Sequence, residues 1–160
     1  MATATDAATD TADRELVITR DFDAPRDRVF DAFTDAEAIG RWWGPRGFRT
    51  TTHEKDARPG GVWRFIMHGP DGTDYPNLIE YTEVVRPERL AYAHGTGEED
   101  GRGFQVTVTF GEEGGKTRVT LRTIFPTPEA RAAVMGYAVE GGNQTLERLS
   151  EYLAGVADIA

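Results

Sequence analysis

The sequence predicts an α+β domain built from one antiparallel sheet and one long covering helix. Short runs of alternating apolar and polar residues, separated by turn residues, fill the middle of the 160-residue chain, and this pattern is typical of half-buried strands. The connections between these runs are short, so neighbouring strands are expected to pair antiparallel. One long amphipathic segment follows them, and a twisted antiparallel sheet can hold such a helix on its concave face.

The composition excludes several classes of function. The chain has a formal net charge of −9 and no cysteine, which excludes disulfides, thiolate metal sites and thiol catalysis. The acidic balance argues against nucleic acid, because phosphate contacts need clustered Lys and Arg. No basic segment followed by an apolar run opens the sequence, and no apolar run approaches about 18 residues. We therefore expect no membrane span and a cytoplasmic protein.

The chain length favours a single domain with its own core. Residues 1–13 are mostly Ala, Thr and Asp with little to bury, so we expect a disordered leader. The domain is expected to span residues 14–156, followed by a tail at 157–160. Leu16, Ile18 and Phe22 alternate with outward positions and predict the first strand.

Two short helices are predicted between the first and second strands. Pro25 suits the first position of one helix. Thr34 or Asp35 can cap the second, and Gly44-Pro45 ends it. The apolar residues assigned to the two helices are Val29, Phe30, Phe33, Ile39, Trp42 and Trp43.

Six further strands are predicted after these helices. Glu80 and Glu83 interrupt the alternation in the third of these six strands and indicate a β-bulge. Glycine and proline turns separate the strands. Their predicted ranges are Arg49–Glu54, Val62–His68, Leu78–Val85, Leu90–His94, Phe104–Phe110 and Val119–Thr123.

The last helix is predicted over Thr127–Ala154. Thr127 can act as its N-cap, Pro128 fits the first helical position, and Gly155 is a plausible stop signal. Apolar residues at spacings of three, four and seven predict one buried stripe. The stripe consists of Met135, Val139, Leu146, Leu149, Leu153 and Val156.

Several local motifs together resemble one family, the bacterial homologues of the heat-shock-protein-90 ATPase activator. This family belongs to the START-like, helix-grip superfamily, which includes polyketide cyclases and birch-pollen-type allergens. The motifs that carry the resemblance are Asp23-Ala24-Pro25, Trp42-Trp43-Gly44-Pro45, Gly60-Gly61-Val62-Trp63-Arg64-Phe65, Met67-His68-Gly69-Pro70-Asp71-Gly72, Glu83-Val84, Pro87-Glu88-Arg89-Leu90 and Thr107-Val108-Thr109-Phe110.

The resemblance implies a curved seven-stranded sheet around the final helix, with a cavity that takes hydrophobic small molecules in many relatives. It implies no shared catalytic constellation. Relatives often place a tryptophan near Gly142, and two glycines here cost the helix about 1 kcal/mol each. We therefore expect an enlarged or differently shaped pocket at Gly142.

Aromatic and apolar side chains on the strands and the final helix are the candidate ligand contacts, each also compatible with an ordinary core position. Trp43 is expected to close the cavity. The full set is Trp43, Trp63, Phe65, Met67, Tyr81, Tyr92, Phe104, Val108, Met135, Val139 and Gly142.

Evidence for catalysis is weak in the sequence. The three histidines lie on separate strands without metal-ligand spacing, so no metal site and no cofactor are expected. His94 shares a strand face with Leu90 and Tyr92 and is the polar group most expected to point inward. Glu140 and Asp74 are the other candidates for a buried acid or base, as a cyclase-like enzyme would require.

Binding of a small hydrophobic molecule is the favoured function, with two alternatives. One is a chaperone-interaction domain, and the other is a cyclase-like or hydrolase-like enzyme. Trp42 and Trp43 distinguish a partner or homodimer surface from a pocket: if they are exposed together they favour the surface, and if buried the pocket. A plain stress-associated domain is the remaining possibility.

Overall fold

The computed structural model describes residues 12–95 and 103–159. The predicted leader lies outside the described residues except for its last two positions, which begin a 3₁₀ turn at Ala12–Arg14. The strands are β1 (Glu15–Phe22), β2 (Arg49–Lys55), β3 (Val62–His68), β4 (Asp74–Val85), β5 (Arg89–Gly95), β6 (Phe104–Glu113) and β7 (Lys116–Ile124). The helices are α1 (Arg26–Thr34), α2 (Ala36–Ile39) and α3 (Pro128–Ile159).

The seven strands form one antiparallel sheet in the order β1-β7-β6-β5-β4-β3-β2. Five of its six neighbouring pairs join consecutive strands, as the short turns predict. The sixth pair joins β1 to β7, and β1 pairs along its whole length. The β6–β7 turn needs two residues with positive φ, and Gly114 and Gly115 supply them at 62° and 80°.

The predicted bulge is present in β4, where the pairing with β5 shifts register between Tyr81 and Glu83. A second shift in β2, between Thr52 and Glu54, was not expected. The structure also starts β4 at Asp74, four residues before the predicted Leu78. Its polar first half reads as a turn from sequence, but pairing with β3 holds it in the sheet.

Helices α1 and α2 close one end of the sheet with apolar side chains. Pro25 is the N-cap of α1 and not its first helical residue. Asp35 caps α2 by accepting a hydrogen bond from the Ala38 N–H at 3.0 Å. The prediction that α2 carries Trp42 and Trp43 is wrong, because the helix ends at Ile39. Both tryptophans follow it in a turn, and Trp42 is fully buried.

Helix α3 crosses the sheet and is longer than predicted. The Thr127 hydroxyl accepts from the Ala130 N–H at 3.0 Å, which confirms the N-cap. Gly155 does not end the helix, which continues to Ile159; a single glycine costs only about 1 kcal/mol and an established helix tolerates it. The predicted domain end at 156 and tail at 157–160 therefore fall within or next to this helix. None of the described helices is long and apolar enough to span a membrane.

Candidate functional site

A cavity of about 370 Å³ lies between the sheet and α3. Strands β1, β5, β6 and β7, the part of α3 between Val134 and Leu146 and the turn after α2 contribute most of its wall, which is predominantly apolar. The described residues that line it are Leu16, Ile18, Phe33, Trp42, Trp43, Gly44, Pro45, Met67, Tyr92, His94, Phe104, Val106, Leu121, Thr123, Phe125, Val134, Ala138, Gly141, Gly142, Thr145 and Leu146.

The structure brings about half of the predicted ligand contacts to this cavity. Trp43, Met67, Tyr92, Phe104 and Gly142 lie on its wall. The other predicted contacts lie elsewhere among the described residues: Trp63, Phe65, Tyr81, Val108, Met135 and Val139.

Trp63, Phe65 and Tyr81 belong to a packed aromatic group around Lys55. The rings of Trp63 and Phe65 stack with centroids 3.8 Å apart. The Lys55 ammonium lies 4.2 Å from the centroid of Trp63 and donates a hydrogen bond to the Tyr81 hydroxyl. Burial lowers the pKa of Lys55 to about 7, partly offset by Asp35. Trp63 and Tyr81 thus pack against the Lys55 amine instead of lining the cavity, a role that strand alternation alone does not reveal.

Met135 and Val139 lie off the cavity because the inward row of α3 runs through smaller residues. Val139 is 37% exposed, whereas Val134, Ala138 and Gly142 face the cavity at four-residue spacing. The helical repeat makes such positions share one face. The empty volume lies along this row of small residues, whereas Met135 and Val139 were predicted from the stripe of larger apolar residues beside it.

Gly142 lines the cavity, but on the side of β1 its missing side chain leaves no room, so an enlargement of the pocket towards β1 is not found. A Cβ on Gly142 would lie 2.6 Å from Cδ1 of Ile18, far inside van der Waals contact. Glycine here lets α3 approach β1 closely. Gly136, on the same helix, has nothing within 4 Å of an added Cβ.

The Gly142–Ile18 contact makes a double-mutant prediction. Gly136→Ala should stabilise the protein by about 1 kcal/mol through helix propensity, and Gly142→Ala should gain less because Ile18 must move. Valine lacks Cδ1, so in the Ile18→Val protein Gly142→Ala should increase the free energy of unfolding by about 1 kcal/mol, as Gly136→Ala does in the wild type. Urea denaturation of the wild type, Ile18→Val, Gly142→Ala and the double variant measures the coupling energy between the two positions. Additivity within about 0.3 kcal/mol would contradict the close contact.

Among the described residues that line the cavity, His94 and Tyr92 carry the ionisable side chains, and His94 is the one that can be a cation. Its ring lies between Phe104, with centroids 4.8 Å apart, and Phe65, at 5.9 Å. Its Nε2 is 2.8 Å from Oδ1 of Asn77. Burial lowers the pKa of His94 to about 4, because the apolar surroundings disfavour the imidazolium. The side chain of His94 points inward, as predicted from its position on the same strand face as Leu90 and Tyr92.

This lowered pKa predicts how stability depends on pH. The unfolded state, with a histidine pKa near 6.5, takes up the proton before the folded state, whose His94 pKa is about 4. Stability should therefore fall as pH decreases from about 6.5 towards 4, by about 2–3 kcal/mol from this group. His94→Phe should flatten the change between pH 6.5 and 5 in urea denaturation. His53→Phe, at an exposed histidine, is the control and should keep the slope.

Glu140 and Asp74, the other candidate acids, lie away from the cavity. Glu140 is exposed and accepts a hydrogen bond from Gln144 at 3.3 Å. Asp74 begins β4 and pairs with His68 Nδ1 at 2.8 Å. Glu140 lies on the solvent-facing side of α3, and Asp74 is held at the start of β4 by its pairing with β3. The structure therefore does not support a carboxylate acting inside the cavity. The described residues also contain no cluster of three or more metal-ligating side chains.

The turn carrying Trp43, Gly44 and Pro45 is held against α3 by Arg148. Nη1 of Arg148 donates hydrogen bonds to the Gly44 carbonyl at 2.8 Å and to the carbonyls of Trp43 and Pro45 at 3.3 Å. Partial burial is the main reason that the pKa of Arg148 is lowered. Arg46 adds contacts of 2.6 Å to Glu147 and to Glu151. These bonds fix the wall of the cavity nearest to the turn.

A curved antiparallel sheet that holds a long C-terminal helix across its face, with two short helices after the first strand, defines the START-like helix-grip class. Residues 23–154 match the family model described as "Activator of Hsp90 ATPase homolog 1-like protein". The chain belongs to this family, and the match covers most of its length. No curated protein matches the chain.

Solved bacterial structures share the fold over almost the whole chain. Protein Ms6760 from Mycobacterium smegmatis is 29% identical with a TM-score of 0.80, covering 89% of this chain and 92% of that one. A protein from Staphylococcus epidermidis is 29% identical with a TM-score of 0.79, covering 89% and 90%. A protein from Arthrobacter aurescens is 25% identical with a TM-score of 0.84, covering 91% and 88%.

Proposed function

We propose that this protein binds one small, largely apolar molecule in the cavity between the sheet and α3. The observation that carries the proposal is the cavity itself. Its volume of about 370 Å³ falls in the range of about 300–1,000 Å³ typical of small-molecule sites. Empty apolar space forfeits packing contacts, and a ligand of matching shape recovers them.

The two tryptophans favour a pocket over a partner surface. Trp42 has no exposed surface, and Trp43 is partly buried against Trp42 and Trp63 with ring centroids 5.7 and 5.1 Å away. They therefore form no exposed aromatic pair for a chaperone or a second copy to cover. The family description makes chaperone binding the alternative. Native mass spectrometry with the chaperone and with a hydrophobic ligand library would distinguish the two.

Calorimetric titration of the full chain with naphthalene tests the proposal. We expect one saturable site with a dissociation constant on the order of 10–100 µM, given the usual ligand efficiency of small apolar molecules. The heat-capacity change should be negative, because apolar surface is buried on binding. Uptake that does not saturate, or no uptake at the solubility limit, would refute the proposal.

A further inference from the structure

The neighbours of His94, a polar side chain on the cavity wall, determine which of its two ring nitrogens carries the proton. The amide of Asn77 donates from Nδ2 to the Tyr75 carbonyl at 2.8 Å. This bond turns Oδ1 of Asn77 towards His94, where it lies 2.8 Å from Nε2. A carbonyl oxygen can only accept a hydrogen bond. Nε2 of His94 must therefore carry the proton and donate it.

The other ring nitrogen is consequently an acceptor. Burial keeps the pKa of His94 near 4, so the imidazole is neutral at pH 7 and Nδ1 presents a lone pair. Among the described residues no hydrogen bond reaches Nδ1. These residues also contain no sealed side-chain nitrogen or oxygen without a partner. Nδ1 is therefore not sealed from its surroundings, and His94 is one of the residues that line the cavity.

We propose that the cavity selects a neutral apolar molecule that bears a hydroxyl group, which donates its proton to Nδ1 of His94. This inference rests on the proposed function and specifies its ligand class. An ether lacks the proton to donate. A carboxylate brings only acceptor oxygens and loses its hydration in an apolar site. A hydroxylated ring suits the apolar wall and donates to Nδ1 of His94.

The other hydroxyl groups on the wall do not impose this choice. Thr145 donates to the Gly141 carbonyl at 2.9 Å. Tyr92 and Thr123 each carry a hydroxyl that can donate as well as accept. Burial raises the pKa of Tyr92, so its phenol stays protonated. Such groups accommodate an ether or a carbonyl as readily as a hydroxyl, whereas Nδ1 of His94 accommodates only a donor.

Naphthalene and three 1-substituted derivatives of similar shape test the inference by calorimetry at pH 7. Wild-type protein should bind 1-naphthol about tenfold more tightly than 1-methoxynaphthalene, the value of one good hydrogen bond. It should bind 1-naphthoate more weakly than 1-naphthol. In His94→Phe the naphthol and its methyl ether should bind within about twofold of each other. His53→Phe, the same substitution at an exposed histidine, is the matched control and should keep the preference.

The outcomes separate this inference from the proposed function. If naphthalene itself fails to bind, the cavity proposal is refuted and this one with it. If naphthalene binds but wild-type protein does not prefer the naphthol, only the hydroxyl selection is refuted. A preference that survives in His94→Phe would overturn the role of His94.

The tautomer is measurable without any ligand or variant. Two-bond ¹H–¹⁵N correlation spectra of labelled wild-type protein at pH 7 should show a protonated Nε2 and a bare Nδ1 on His94. Asn77→Leu removes the group that fixes this state, and the spectrum should shift towards a mixture of tautomers with a smaller preference for naphthol. A proton on Nδ1 in the wild-type protein would overturn the inference.

Discussion

Trp42→Ala should destabilise the protein by about 3–5 kcal/mol, the range for removing a large buried aromatic. Trp42 has no exposed surface. Its indole N–H donates to the Ala32 carbonyl at 3.1 Å, and its ring meets Phe33 edge-on with centroids 4.8 Å apart. The substitution removes these contacts and leaves the Ala32 carbonyl unpaired. Because Trp42 also lines the cavity, the wall would lose its support next to α1.

Urea denaturation followed by circular dichroism measures this loss. Val17→Ala, on the outward face of β1 where Val17 is 53% exposed, is the control and should change stability by less than about 0.5 kcal/mol. A loss below about 1 kcal/mol for Trp42→Ala would mean that the tryptophan is not part of the close-packed core.

Ala138→Trp should abolish naphthalene binding or weaken it at least tenfold. Ala138 belongs to the inward row of α3 and lines the cavity, so an indole at this position occupies the space that a ligand would fill. The fold should survive, because the new ring enters empty volume rather than a filled core. The calorimetric titration used for the wild-type protein measures the effect.

Ala133→Trp is the matched control for this prediction. It makes the same substitution on an exposed position of the same helix and should bind naphthalene as the wild type does. Ala138→Leu fills less of the cavity and should give an intermediate loss, which keeps the test decisive if the tryptophan variant folds poorly. Unchanged binding in both Ala138 variants would place the ligand outside this cavity.

The strands were predictable because their signals are local. The alternation in β3, β6 and β7 has a period of two, so a burial pattern read from sequence also gives the face. The bulge in β4 was detectable from Glu80 and Glu83, which break that period. The N-cap of α3 was detectable from Thr127 and Pro128. Each of these features depends on residues that lie next to each other in the chain.

The cavity was only partly predictable because it depends on residues that are distant in sequence. Leu16 and Ile18 of β1 meet Leu121 and Thr123 of β7 across the cavity wall, and nothing local indicates that these two strands pair. On α3, counting back from Leu146 in steps of four gives Gly142, Ala138 and Val134. That row was readable from sequence, but its small residues carry little apolar signal.

The hydrogen bond that orients His94 was also beyond the sequence. His94 is directly opposite Ile79 in the β4–β5 pairing, and Asn77 lies two residues before Ile79 on the same strand face. Such diagonal neighbours come within reach only when the register is known. The early start of β4 at Asp74, which the sequence did not indicate, is what places Asn77 in the sheet.

Intermolecular NOEs between bound naphthalene and the methyl groups of the protein test the central claim most directly. The claim predicts contacts to Ile18, Leu121 and Val106, whose side chains face the cavity, and none to the outward-facing Val17. Contacts confined to Val17 or Val85, both exposed, or saturable binding without contacts to the three inward residues, would contradict a ligand site between the sheet and α3.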